Sequence, residues 1–236
     1  MISQYSKPGD IDREFWDDHK RAKYWLKKMT SSRAAIDKVY DSVFDVLYGD
    51  GRKYAMSEVF YYTSPKTGNR WMMWLSSMKD DEGMPRTYCR YVLYYFTAMY
   101  MTIMLPVMTV EHDDDTGEER RTVQGVNIYT AHMFQRMADP DRLGVDMSDR
   151  VKVIRNFVEF VATGWSDTRK PKENERHEQV MLRTPASWIR GHTVRVGCRH
   201  VTIYRTFYAD KSMTPGQRRD VKTFRKFADE MIKQGK

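Results

Sequence analysis

The chain has 236 residues and only two cysteines, Cys89 and Cys198, far apart; it is long enough to bury a core and too poor in cysteine for a disulfide framework or a cysteine zinc site. Its net charge of +8 is uneven, with thirteen Lys and Arg against four Asp and Glu from Arg183 to Lys236 and near neutrality elsewhere. The polar start Met1-Ile2-Ser3-Gln4-Tyr5-Ser6-Lys7-Pro8 is not a secretory leader, so a reducing cytoplasm is the expected compartment.

In chain order, Asp10 to Met29 is expected to be a helix, started by Asp10 or Asp12, with Phe15, Ala22, Leu26 and Met29 along one face. A second helix is expected from Ser31 or Ser32, striped by Ile36, Val39, Val43 and Leu47 and stopped at Gly49-Asp50-Gly51. Two helices so closely linked pack as a hairpin. From Lys53 the texture turns to strand. Tyr54 to Thr63 and Arg70 to Met78 flank the turn residues Ser64-Pro65-Lys66-Thr67-Gly68-Asn69. Tyr91 to Val110 is twenty residues without a charge, the length of a membrane span. Its tyrosines, threonines and Pro106 instead favour two strands joined near Thr97 to Met101. Arg120 to Tyr129 supplies a fifth strand, giving an antiparallel meander. Between them, Glu111 to Glu119 is acidic but lacks the spacing of a calcium loop, and reads as a solvated hairpin tip.

Helix then resumes at Tyr129-Thr130-Ala131-His132-Met133-Phe134-Gln135-Arg136-Met137, with Thr130 as its cap and His132 and Arg136 one turn apart on one face. Another helix, capped by Asp146 or Ser148, buries Val151, Ile154, Phe157, Val158 and Val161. Gly164 to Glu178 reads as a long charged loop. Gln179 to Arg183 is a short strand, and His192 to Val196 with Val201 to Ala209 form a hairpin around Gly197-Cys198-Arg199-His200. Thr214-Pro215-Gly216-Gln217 opens a last helix with cap, proline and capping-box glutamine in place.

If Val196 faces Val201 in that hairpin, then Val194 faces Ile203 and His192 faces Arg205. The opposite face carries Thr193, Arg195, Thr202, Tyr204, Thr206 and Tyr208, which suits it to stacking bases or to being covered by a loop.

Cleaving RNA at neutral pH takes a base for the ribose hydroxyl, an acid for the leaving oxygen and a cation at the phosphate, with no metal or cofactor. His132 with His192 are the expected proton carriers, and Arg136 with Arg205 the phosphate clamp. Arg195, Arg199, Tyr204, Thr206, Arg218, Arg219 and Lys222 are the expected nucleic-acid contacts. No nucleophile elbow, phosphate-binding glycine loop or His-Glu-x-x-His helix occurs, so the chemistry of those motifs is set aside.

The segment Ala131-His132-Met133-Phe134-Gln135-Arg136-Met137, followed by a second helix and a basic, hydroxyl-rich hairpin, resembles the small RelE- and barnase-like ribonuclease toxins and their uncharacterised relatives. The resemblance covers Tyr129 to about Met213. It implies an RNA-cleaving or RNA-binding module with His132 and Arg136 in its site. A second arginine, which the pattern places one turn after Arg136, falls here on Pro140, with Arg142 the nearest substitute.

The fold expected is therefore α+β: a helical hairpin and antiparallel meander over residues 1–128, then a basic helix, hairpin and helix unit over 129–236, unless the two share one domain. The function expected is nucleic-acid binding, RNA before DNA, with metal-independent cleavage as its catalytic form. The alternative is a non-catalytic interaction protein of phage or mobile-element type, docking its basic C-terminal face on nucleic acid or an acidic protein. No membrane partner is expected.

Overall fold

The computed structural model of the chain describes residues 1–31, 54–79, 85–112, 119–162, 165–169, 176–184 and 187–222. The expected second helix, the tip of the acidic turn and the last helix beyond Lys222 fall outside these residues. The chain divides into two compact units, Met1–Ser6 with Arg13–Tyr94, and Lys7–Asp12 with Tyr95–Lys236. The protein is α+β, and the strands of the second unit form a mixed arrangement.

The first unit holds most of helix α1 (Pro8–Met29), which starts two residues before Asp10 because Pro8 suits the first helical position. Phe15, Ala22 and Leu26 are buried on one stripe, but Met29 at its end is exposed. Asp18 lies on the same stripe and is fully buried. Its carboxylate accepts hydrogen bonds from the Ser64 hydroxyl at 2.8 Å, the Asn69 amide at 2.6 Å, Arg21 at 2.7 Å and the Thr67 hydroxyl. It thereby ties α1 to the Ser64–Asn69 turn, where Gly68 supplies the positive φ of 73°.

Strands β1 (Tyr54–Met56) and β2 (Phe60–Thr63) both pair antiparallel with β3 (Arg70–Lys79), whose other partner is β4 (Pro85–Phe96). Tyr54 to Thr63 is thus two strands rather than one. The Ser57 hydroxyl accepts from the Leu75 amide at 2.9 Å, a side chain standing in where a continuous ladder would use backbone. Trp71, Met72, Met73 and Trp74 of β3 are all fully buried, so both its faces are core.

In the second unit the strand order is β5 (Met101–His112), β6 (Glu119–Tyr129), β10 (Arg199–Ala209), β9 (Ser187–Val196), β8 (Glu178–Thr184) and β7 (Trp165–Arg169). All its pairings are antiparallel except β6 with β10, which is parallel. The expected charged loop after Gly164 therefore contains a strand. β7 pairs with β8 from Trp165 opposite Arg183 to Arg169 opposite Gln179.

Between β6 and β7 run α2 (Ala131–Ala138) and α3 (Arg150–Ala162). Thr130 caps α2, its hydroxyl accepting from the Met133 amide. For α3 the cap is Asp149, which accepts from the Lys152 amide at 3.0 Å. Asp146 and Ser148, the expected caps, are occupied one turn earlier, where the Asp146 carboxylate accepts from the Ser148 amide and hydroxyl. Phe157 of α3 packs edge-on against Tyr129 and Phe134, placing both helices over the sheet face that bears Tyr129.

Beyond β10, residues 215–222 are helical. Thr214 and Gln217 exchange reciprocal bonds, side chain to amide in each direction, as a capping box does. Val221 of this helix packs with Met181, Trp188 and Tyr208 on the other face of the sheet. Among the described residues no helix is long and apolar enough to cross a membrane.

Candidate functional site

The hairpin of β9 and β10 closes through two residues, Gly197 and Cys198, with Gly197 at a φ of 61°. Val196 therefore faces Arg199, Val194 faces Val201 and His192 faces Ile203, a register two residues tighter than the sequence arithmetic gives. The expected sharing of faces survives as far as Tyr204. There the register shifts between Tyr204 and Thr206, leaving Arg205 in a bulge and transferring Thr206 and Tyr208 to the opposite face. Tyr208 accordingly joins Trp188 and Met181 instead of Tyr204.

Paired residues point to the same side of a sheet, so the registers can be read as rows across the strands. One row runs Asn127, Thr202, Thr193, Glu178 across β6, β10, β9 and β8. The row on one side is Val107, Gly125, His200, Arg195. On the other side it is Tyr129, Tyr204, Gly191, Val180, Thr168. These rows line a hollow of about 240 Å³ to which β5 contributes Val107 and β7 contributes Ser166 and Thr168. Four strands lie between β5 and β7, so the sheet curls strongly to bring both to one hollow.

Two glycines leave the hollow open. A Cβ on Gly125 would stand 1.9 Å from the His200 carbonyl oxygen, and one on Gly191 would stand 2.5 Å from that of Ile203. Both positions exclude any larger residue, and no side chain rises there to fill the rows.

The floor is made of hydroxyls. Thr193 and Thr202 are buried and bonded to each other at 3.0 Å. Tyr204 is buried and stacks on Tyr129, centroids 4.9 Å apart and planes 8° from parallel. Its phenol makes no hydrogen bond among the described residues, and burial pushes its pKa well up, so it stays a neutral donor. The Asn127 amide makes one long bond, 3.5 Å to the Tyr129 hydroxyl. Exposed Glu178 and half-buried His200 also line the hollow, and opposite His200 on the neighbouring strand stands the exposed Arg195, whose Nε donates to the Gly197 carbonyl at 3.2 Å.

The residues expected from sequence fall into separate places. His132 is exposed on α2 and its Nε2 accepts from Arg136 Nε at 3.1 Å. His192 points from the opposite sheet face, since it pairs with Ile203 while the neighbouring Tyr204 pairs with Tyr129. There its ring stacks on His177 at 5.4 Å. Burial, the charge of Arg205 and His177 push its pKa down to about 4, so it is neutral at pH 7. The structure thus brings His192 to Arg205 and His132 to Arg136, but does not bring the two pairs together.

The expected phosphate-contacting cations are also sorted. Arg199 is held by both oxygens of Asp12, at 2.8 Å and 2.9 Å. Nearby, Arg183 pairs with Asp210 and Arg190 with Asp220, which uses both acids of the described residues from Arg183 onward. Arg195, Arg205, Arg218 and Lys222 make no ion pair among the described residues, and Arg219 is exposed. Thr206 is half-buried on the far face and Tyr204 is buried in the hollow.

Sequence reasoning placed Thr193, Arg195, Thr202 and Tyr204 on one face, and missed Asn127, Glu178 and His200. Glu178 and His200 lay in what read as loop and turn, and Asn127 depends on the parallel pairing of β6 with β10. Among the described residues no three His, Cys, Asp or Glu side chains are grouped to hold a metal. No family model, no curated protein and no solved structure matches the chain.

Proposed function

We propose that the second unit binds single-stranded RNA across the hollow of its curled sheet and cleaves it there without a metal. The observation that carries this reading is that Glu178 and His200 both line one hydroxyl-rich hollow, with Arg195 paired to His200 on the neighbouring strand. A carboxylate, an imidazole and a guanidinium are the base, acid and anion clamp of phosphodiester transfer. Arg195 has no carboxylate partner among the described residues, which leaves it to a phosphate, whereas Arg183, Arg190 and Arg199 are each paired with an aspartate.

In this reading Glu178 takes the proton of the ribose 2′-hydroxyl, and the oxygen attacks the adjacent phosphorus. Arg195 holds the non-bridging oxygens as charge builds on them. The bond to the 5′-oxygen breaks as His200 gives that oxygen a proton, leaving a 2′,3′-cyclic phosphate and a free 5′-hydroxyl. DNA lacks the attacking hydroxyl, so it would bind and stay whole.

The second reading, binding without cleavage, is supported by the exposed cations Arg218, Arg219 and Lys222, which add backbone affinity but no proton transfer. Incubation with total RNA in EDTA separates the two. A binder retards the RNA and a nuclease shortens it. Glu178→Gln and His200→Ala are each expected to abolish shortening while sparing retardation. RNA neither retarded nor shortened at low salt would refute both.

A further inference from the structure

We infer that the hollow is a pocket for one unpaired nucleobase, whose edge is read by the Tyr204 hydroxyl and the Asn127 amide while Arg195 holds an adjoining phosphate. This rests on the RNA reading above and adds what the site recognises.

The lining suits a neutral, polar occupant. Asn127, Thr202, Tyr204, His200 and Glu178 offer both donors and acceptors, and no Lys or Arg is among the described residues that line it. A phosphate would enter against the Glu178 carboxylate with no cation inside to receive it, so the occupant is neutral and polar. Val107 and Val180 supply apolar walls on either side, which a flat ring can use and a fully hydrated group cannot.

Unspent hydrogen-bonding capacity points the same way. Tyr204 is only 2% exposed and lines the hollow, and its hydroxyl, which has no partner among the described residues, is not fully enclosed. A donor and acceptor so placed is left for whatever enters the hollow. Asn127 is half-buried, its side-chain bond is at the limit of length, and its carbonyl accepts no bond among the described residues. An amide beside a hydroxyl matches the donor and acceptor pairs along the edge of a base.

The size of the hollow also limits what can enter it. A hollow of about 240 Å³ is below the range of roughly 300–1,000 Å³ that holds drug-sized molecules. One ring system fits, while its ribose and phosphates remain at the mouth. There Arg195 stands in the row of His200, one step from the hydroxyl floor.

The test uses the full chain at low salt with EDTA and with Glu178→Gln as background, so that bound RNA stays intact. Affinity is measured for a 12-nucleotide RNA and for an oligomer of equal length and charge whose riboses carry no bases. In parallel, free ribonucleosides and ribose alone are titrated while the Asn127 side-chain amide resonances are followed.

The inference predicts at least tenfold tighter binding of the base-bearing strand. Tyr204→Phe, which keeps the stacked ring and loses only the hydroxyl, should narrow that ratio five- to tenfold and leave the abasic affinity unchanged. Nucleosides should shift the Asn127 amide and ribose should not. Equal affinity of the two strands with no nucleoside shift overturns the base pocket and leaves the RNA reading standing. Nucleoside shifts without binding of either strand do the reverse. Ribose shifting the amide as far as the nucleosides do would also overturn it, since the sugar would then be the occupant. No response to any probe overturns both, and because the titrations use the Tyr204 protein they stand even if Tyr204→Phe does not fold.

Discussion

Replacing Asp18 with alanine should be among the most damaging single changes in the first unit. The carboxylate is fully buried and accepts from Ser64, Thr67, Asn69 and Arg21. Arg21 is about one-third exposed and regains water when its partner goes. Ser64 and Asn69 are 1% and 0% exposed and cannot. Each buried donor left without an acceptor costs roughly 1–3 kcal/mol. Asn69 keeps some satisfaction through Glu14 at 2.9 Å, so the sum is about 3–5 kcal/mol, within the range found for breaking a buried charged network. At roughly 2–4 °C per kcal/mol for a chain of this size, Tm should fall by about 6–20 °C. Urea unfolding followed by tryptophan fluorescence measures it, since Trp71 and Trp74 are buried in the same unit. Asp18→Asn keeps the size and one acceptor and should fall between the two. A loss below about 1 kcal/mol for Asp18→Ala would refute the argument that this network holds the turn to α1.

Other consequences are open to simpler measurements. His19 is packed among Phe15, Trp71 and Tyr91, and burial followed by the charge of Lys23 pushes its pKa down to about 4. Between pH 6.5 and 4 the unfolded chain binds a proton that the folded chain refuses, so stability should fall as pH drops through that window, by at most about 3 kcal/mol from this residue. His19→Phe should flatten that slope in chemical denaturation at stepped pH. Gly125→Ala sets a Cβ 1.9 Å from a backbone oxygen and should destabilise by more than about 3 kcal/mol or prevent folding. Gly197→Ala meets nothing within 4 Å and should cost only about 1 kcal/mol for its positive φ. His132→Ala removes an exposed ring bonded to Arg136 and Gln135, and should leave RNA binding, RNA cleavage and Tm within about 0.5 kcal/mol of the parent.

Much of the local structure could be read from the residues, because caps and turns are written within four positions of one another. Thr130 before α2 and Thr214 with Gln217 before the last described helix act as their chemistry dictates. Asp149 is less legible, because three candidate caps lie within four residues and the bond between Asp146 and Ser148 exists only in the fold. The alternation of a strand placed Thr193, Arg195, Thr202 and Tyr204 together, but periodicity cannot foresee a bulge, and Arg205 sends Thr206 and Tyr208 the other way. Long-range pairing is the least legible of all. Nothing near Asn127 announces that β6 will lie parallel to β10, more than seventy residues on, and so put Asn127 beside Thr202. The proposed site depends on that pairing, which is why the sequence pointed to His132 and His192, residues that lie on different faces.

The account rests on the curled face as the RNA surface, and a comparison of two arginines tests it most directly. Arg195 stands opposite His200, which lines the hollow, and Arg205 beside His192 on the far side of the sheet, both exposed and without ion pairs among the described residues. Affinity for a 12-nucleotide RNA is measured in EDTA over a range of salt for Arg195→Ala and Arg205→Ala. The account predicts that Arg195→Ala weakens binding at least fivefold and flattens the salt dependence by about one phosphate contact, a change of roughly 0.7 in the logarithmic slope, while Arg205→Ala leaves both unchanged. Loss of affinity with Arg205→Ala and none with Arg195→Ala would contradict it.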